Sequence, residues 1–327
     1  MSLFTHLKKS IRPVGVITMI LALNGCNPDV FVDRLILSSE LLSLHGDGET
    51  SVVNLSSDEW MVSRIELDIP EYNRLPCKLY NEAGELVSAY EPVGYTYLSG
   101  LGKITFEDKY VDFTIKRSVG KQLEISVGEN LRDSEFQFKV ELHNGYQAIP
   151  ISITQPPGSG YVIDSVAYTL KPQSHSIYLE EKETININNN STEPIPYTVH
   201  VFSRVNHKVY FTSTDPKLFF YLKENDKRVP YPEKVTDNGL EMSDRKVDLS
   251  PRVQTISLPF PDATKTVNLR VGRNKISVYL EYEEYEADFY LHMSNKKTGN
   301  QKCTRGVFHS KMPTGDFLVF IHKPETE

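Results

Sequence analysis

The feature that most constrains this chain is strand text with a period of two. Residues Phe136-Gln-Phe-Lys-Val-Glu-Leu142 put Phe136, Phe138, Val140 and Leu142 on one side, and Gln137, Lys139 and Glu141 on the other. Side chains alternate along a strand, so this stretch reads as a strand with one buried and one wet face. His143-Asn-Gly-Tyr146 follows, and Asn-Gly is a strong short-range signal for a tight hairpin. Ala148 to Thr154 reads as the returning strand. Pro150 within it has no N–H for the ladder, so it belongs at an edge or at the strand's beginning. Similar runs recur at Ser51–Leu55, Trp60–Leu67 and Gln122–Val127, and no long amphipathic helix pattern interrupts them. The expected fold is all-β, as two β-sandwich domains.

Gln155-Pro-Pro-Gly-Ser-Gly160 is the expected boundary, an exposed linker of two prolines and small residues. The first domain then spans residues 35–156 and the second residues 161–324. In the second, strands are expected at Thr184–Asn188, Tyr197–Phe202, Lys208–Thr212, Leu218–Leu222, Val267–Val271 and Phe317–His322. Lys223 to Pro251 reads as a long loop or an irregular hairpin. Tyr279 to Tyr290 mixes acids and aromatics on both faces of any strand it forms. The expectation there is a solvated hairpin, with strands Lys275–Glu284 and Glu286–Met293 and a turn near Glu283 or Glu284. Carboxylates in that density also suit a cation or a basic partner.

The chain starts differently. Lys8, Lys9 and Arg12 precede the apolar run Val14–Leu23, which has ten residues. A membrane-spanning helix needs roughly 20, so the run reads as the core of a secretory signal over residues 1–25. Leu23-Asn24-Gly25-Cys26 resembles the lipobox of bacterial lipoproteins. The resemblance implies cleavage before Cys26 and a lipid on its thiol, followed by a short tether over residues 26–34. Acyl chains add about 0.8 kcal/mol per buried CH₂, so the implied partner is a membrane and the implied location the cell envelope, at the outer membrane. The remaining 302 residues carry 33 basic and 43 acidic side chains, a net charge of −10. Binding nucleic acid needs clustered Lys and Arg, and that class is set aside. Cys77 and Cys303 lie far apart and in different expected domains. They read as single buried or half-buried thiols rather than a disulfide framework, and no metal site or cofactor is expected.

Leu35–Leu44, Gly46-Asp-Gly48 and Asp58-Glu-Trp-Met-Val-Ser63 resemble the start of the BACON domain. Leu123 to Val127, Asn130, Phe136 and Ile151-Ser-Ile-Thr-Gln155 resemble its close. That family is an Ig-like β-sandwich of Bacteroidetes surface proteins, for which carbohydrate binding or a spacer role is proposed. Residues 70–112 interrupt the likeness. Within them Tyr95 and Tyr97, between Gly94 and Gly100, are the candidate ligand-binding aromatics, because exposed rings suit the flat faces of sugars. Trp60 reads as a core aromatic. The text after Val267 also resembles the last strands of aerolysin-like pore-forming proteins, over fewer than 60 residues. Asp164-Ser165-Val166 resembles the Bacteroidetes O-glycosylation sequon, which makes Ser165 a candidate modification site.

No Gly-x-Ser-x-Gly elbow, His-Glu-x-x-His or phosphate-binding glycine loop is present. The expected function is therefore non-catalytic: glycan or host-surface binding, or a spacer. The alternatives are a protein component of a surface assembly, a toxin inhibitor, or a glycosidase with a carboxylate pair that the sequence does not single out.

Overall fold

A computed structural model describes residues 40–68, 77–89, 98–223 and 225–322. The candidate lipidation site Cys26 and the candidate binding residues Tyr95 and Tyr97 lie outside the described residues. The chain is all-β, with sheets packed in sandwich-like layers and one four-residue helix among the described residues.

The first half contributes β1 (Leu41–Ser43), β2 (Glu49–Asn54), β3 (Met61–Leu67), β4 (Lys78–Asn81), β5 (Leu86–Ala89), β6 (Gly102–Glu107), β7 (Asp112–Val119), β8 (Gln122–Val127), β9 (Phe136–His143) and β10 (Ala148–Gln155). One sheet runs in the order β1-β10-β9-β3 and the other in the order β2-β8-β7-β6-β4-β5. Their inner faces supply one core, in which Phe113 of one sheet stacks on Phe138 of the other at 4.4 Å. The alternation in β9 is as the sequence requires: Phe136, Phe138, Val140 and Leu142 are buried. Pro150 pairs with Glu141, beyond the part of β10 that β1 covers, so its missing N–H costs no ladder bond. Trp60 is fully buried, and its indole N–H donates to Ser56 Oγ at 3.1 Å.

Pro156, Pro157 and Ser159 of the expected linker are exposed, but its ends, Gln155 and Gly160, are packed. Gln155 is buried and donates through Nε2 to the carbonyls of His45 and Gly128. A Cβ on Gly46 would meet the Pro157 carbonyl at 2.4 Å, so only glycine permits that approach. Beyond it, the Tyr161 hydroxyl donates to Glu129, and Lys217 holds Asp112 at 2.6 Å. Both contacts tie the second half to the first.

The second half contributes β11 (Val162–Leu170), β12 (Ser176–Asn189), β13 (Ile195–His200), β14 (His207–Thr212), α1 (Leu218–Tyr221), β15 (Arg228–Thr236), β16 (Gly239–Asp248), β17 (Gln254–Ile256), β18 (Thr264–Leu269), β19 (Gly272–Ser294) and β20 (Gln301–Ile321). Two expectations are corrected here. Leu218–Leu222 is not a strand: Leu218, Tyr221 and Leu222 bury the i, i+3, i+4 face of a helical turn. The expected hairpin at Glu283 is instead one unbroken 23-residue strand, β19. Lys223–Pro251, by contrast, does contain an irregular hairpin, β15–β16, with two register shifts.

The mixed faces of β19 follow from which core lies on which side. Its even residues Ile276, Val278 and Leu280 face one core, closed by the β13–β18 ribbon. Its odd residues Tyr285, Ala287, Phe289, Leu291 and Met293 face another, closed by α1 and the β15–β16 hairpin. The two cores lie on opposite faces of the same long sheet, near opposite ends. Tyrosines anchor the hairpin, with Tyr168 and Tyr285 donating their hydroxyls to the carbonyls of Pro230 (2.7 Å) and Pro232 (2.8 Å).

Candidate functional site

The face of the long sheet that does not cover the hairpin is open where β11, β19, β20 and β14 lie side by side. Strand parity fixes what it carries, because the buried odd residues of β19 leave its even residues outward. Cross-strand register then arranges these residues in rows. Glu286 pairs with His309, and His309 with Tyr210. Lys171 completes that row, donating from Nζ to Glu286 Oε2 at 2.5 Å. The row to one side joins Ser176, Glu284, Lys311 and Lys208. On the other side come Thr169, Asp288, Val307 and Thr212, then Ala167, Tyr290 and Arg305, then Ser165, His292 and Cys303.

The first two rows line an open groove of about 590 Å³. On its floor the Tyr210 ring stacks face to face on the His309 imidazole, at 4.3 Å between centroids and 2° between planes. Thr212 Oγ1 lies 3.0 Å from His309 Nε2, and Glu286 Oε1 lies 3.3 Å from Nδ1. Burial holds the His309 pKa below its ordinary value, against the pull of Glu286. The ring is therefore neutral at pH 7, with Nδ1–H directed to the carboxylate and Nε2 accepting from Thr212. The hydrogen bond from Lys171 holds the Glu286 carboxyl below the usual carboxylate range. Burial opposes the charge on Lys311, but hydrogen bonds to Glu180 and Tyr178 outweigh it and keep the ammonium charged. The lip of the groove is the turn Lys171-Pro-Gln-Ser174. Gln173 there takes φ +61, a backbone region most non-glycine residues avoid. Ser174 closes this turn, its hydroxyl donating to the Lys171 and Glu286 carbonyls at 2.7 and 2.9 Å.

Ser165 is exposed on β11, opposite His292 and at a register shift. It shares the open face but sits three rows from the stacked Tyr210–His309 pair. Cys77 is buried in the first core, whereas Cys303 is exposed beside His292, not half-buried. Reading the sequence alone missed Tyr210, His309, Lys208 and Arg305. Parity in β14 and β20 placed them on a face, but only the register across three strands brings them together.

No protein-family model matches the chain, and no curated protein matches it in sequence. Among solved structures, it is similar to the parasporin-2 toxin of Bacillus thuringiensis, at 13% identity and a TM-score of 0.29, over 50% of this chain and 74% of that one. It is also similar to a lamprey immune protein, at 10% identity and a TM-score of 0.33, over 84% and 98%. A Bombina maxima aerolysin-like protein is similar at 11% identity and a TM-score of 0.19, over 48% and 97%. At these scores the likeness does not assign the chain to a fold family.

Proposed function

We propose that the protein is a lipid-anchored envelope protein that binds a glycan without transforming it, through the open face of its long sheet. The open groove beside the stacked Tyr210–His309 pair carries this reading. A groove that joins half-buried aromatic rings to hydroxyl, ammonium and carboxylate groups suits a sugar, whose apolar face packs on rings while its hydroxyls both donate and accept. The groove acids fit binding better than catalysis. A glycosidase needs one carboxyl with a raised pKa as general acid, and the pKa of Glu286 is displaced the other way. Glu284 is occupied by the Tyr178 hydroxyl at 2.5 Å.

Tyr210→Ala removes one ring of the stacked pair from a half-buried position. Affinity for the best polysaccharide found on a glycan array is expected to fall about tenfold, a change of about 1.4 kcal/mol, at an unchanged melting temperature. Equal binding by the variant would sink the site. The anchor has a separate test. Palmitate label is expected on the full chain and not on Cys26→Ala, and label that persists in the variant would remove the lipid from the proposal.

One observation favours a protein partner as a second reading. At the other end of the long sheet, on the opposite face, Leu179, Leu318 and Phe320 are exposed. A photo-crosslinker at position 318, activated in intact cells, is expected under this second reading to trap one discrete envelope protein. A smear or no product would exclude it.

A further inference from the structure

We infer that the open face binds an extended acidic oligosaccharide, held at two points along the strands rather than as a single sugar. This rests on the glycan reading above and adds to it the length and charge of the ligand. The groove beside the Tyr210–His309 pair has a neighbour on this face. A second, of about 410 Å³, is lined by Asp288, Tyr290 and Arg305 together with the chain at Thr212–Thr214. The two grooves occupy successive rows of the same strands, the second beginning at the row of Asp288, Val307 and Thr212. Tyr290 supplies a second exposed ring, 43% accessible. A ligand long enough to reach both would lie along β19 and β20.

The charge of the ligand follows from which side chains are already paired. Lys171 is held by Glu286, and Lys311 by Glu180. Lys208 and Arg305 have no ion-pair partner among the described residues and stand at opposite ends of the strip; Asp288, also in no ion pair there, shares the second groove with Arg305, so the stronger anion contact falls to Lys208. Lys208 lies beside Lys311, which is six residues from Arg305 along β20. At about 3.4 Å per residue the two cations are about 20 Å apart. That separation exceeds one sugar and suits a chain with repeated carboxylate or sulfate groups. The gain comes from linkage: once one end is bound, the other binds at high effective concentration.

The test uses the purified full chain and oligogalacturonides of two and six residues, with neutral malto-oligosaccharides of the same lengths, titrated calorimetrically. The acidic six-residue chain is expected to bind at least tenfold more tightly than the two-residue one, and more tightly than the neutral six-residue chain. Lys208→Gln and Arg305→Gln are each expected to weaken the long acidic chain about three- to tenfold and to reduce the length advantage. Neither side chain has an ion pair among the described residues, so both variants should melt like the parent protein. Equal affinity for short and long chains overturns the two-point mode, and equal affinity for acidic and neutral chains overturns the charge assignment. Binding of none of these probes, with a blank glycan array, overturns the glycan reading itself.

Discussion

Replacing Arg117 with methionine is expected to destabilise the first half by about 3 kcal/mol. Arg117 lies on β7 and is 3% exposed. Its guanidinium donates to three backbone carbonyls: through Nε to Gly120 at 3.0 Å, through Nη2 to Asp58 at 2.7 Å, and through Nη1 to Trp60. These belong to the β7–β8 turn and to the loop before β3, so one side chain ties together the two sheets of the sandwich. The approach is close, and a Cβ on Gly120 would meet the Asp58 Cβ at 2.9 Å. Methionine restores the stem packing but leaves buried carbonyls without donors, at about 1–3 kcal/mol each. Relief of the guanidinium's own burial, which lowers its pKa against the pull of Asp58, offsets part of this. At roughly 4–8 °C per kcal/mol for a domain of this size, the melting temperature should fall by 10 °C or more. Trp60 is the only tryptophan in the chain, so its emission reports the same corner and should shift to the red. Arg117→Lys, which keeps the charge but not the fork, should fall between the two. A melting temperature within 1 °C of the parent would show that the three carbonyls find other donors.

The first half was the more legible in sequence, and the reason is physical. Strands β7 to β10 there each have one wet face and one dry face, so alternation in Phe136–Leu142 translates directly into burial. Strand β19 breaks that assumption. Its dry face is even-numbered up to Leu280 and odd-numbered from Tyr285, because two cores sit on opposite sides of one sheet. A local reading sees only mixed faces and inserts a turn at Glu283. Yet Glu283 is buried, bridging His175 Nε2 at 2.8 Å and the Val235 N–H at 3.3 Å. The short helix α1 was misread for a related reason, since five apolar residues in a row fit either period. The candidate site was the least legible. Tyr210 and His309 are distant in the chain, and nothing in either segment encodes the register that stacks them.

Acid is expected to destabilise the second half, through His207. The residue opens β14 and is fully buried against the Tyr231 ring at 5.8 Å. Nε2 lies 2.8 Å from Ser310 Oγ, while Nδ1 has no partner among the described residues. Burial, with Arg245 adding repulsion, pushes its pKa down from 6.5 to about 4. The unfolded chain therefore takes up a proton as pH falls through 6.5, and the folded chain does not until about 4. Stability is full above pH 6.5 and declines across that window, by about 3 kcal/mol in all. His309, also held low by burial, acts with the same sign. The carboxyls of Asp47 and Glu286 are held low as well, but their contribution is lost mainly below about pH 4, where unfolded carboxylates titrate. The windows thus separate the histidines from the acids, and substitution separates the two histidines. His207→Gln keeps an amide that can reach Ser310 and removes the titration. Urea unfolding at pH 7.0, 5.5 and 4.5 should show the parent losing about 2 kcal/mol more than the variant over that interval, the rest of the loss lying below pH 4.5. Parallel pH profiles would mean that the imidazole gains a proton partner in the core, which its unpaired Nδ1 argues against.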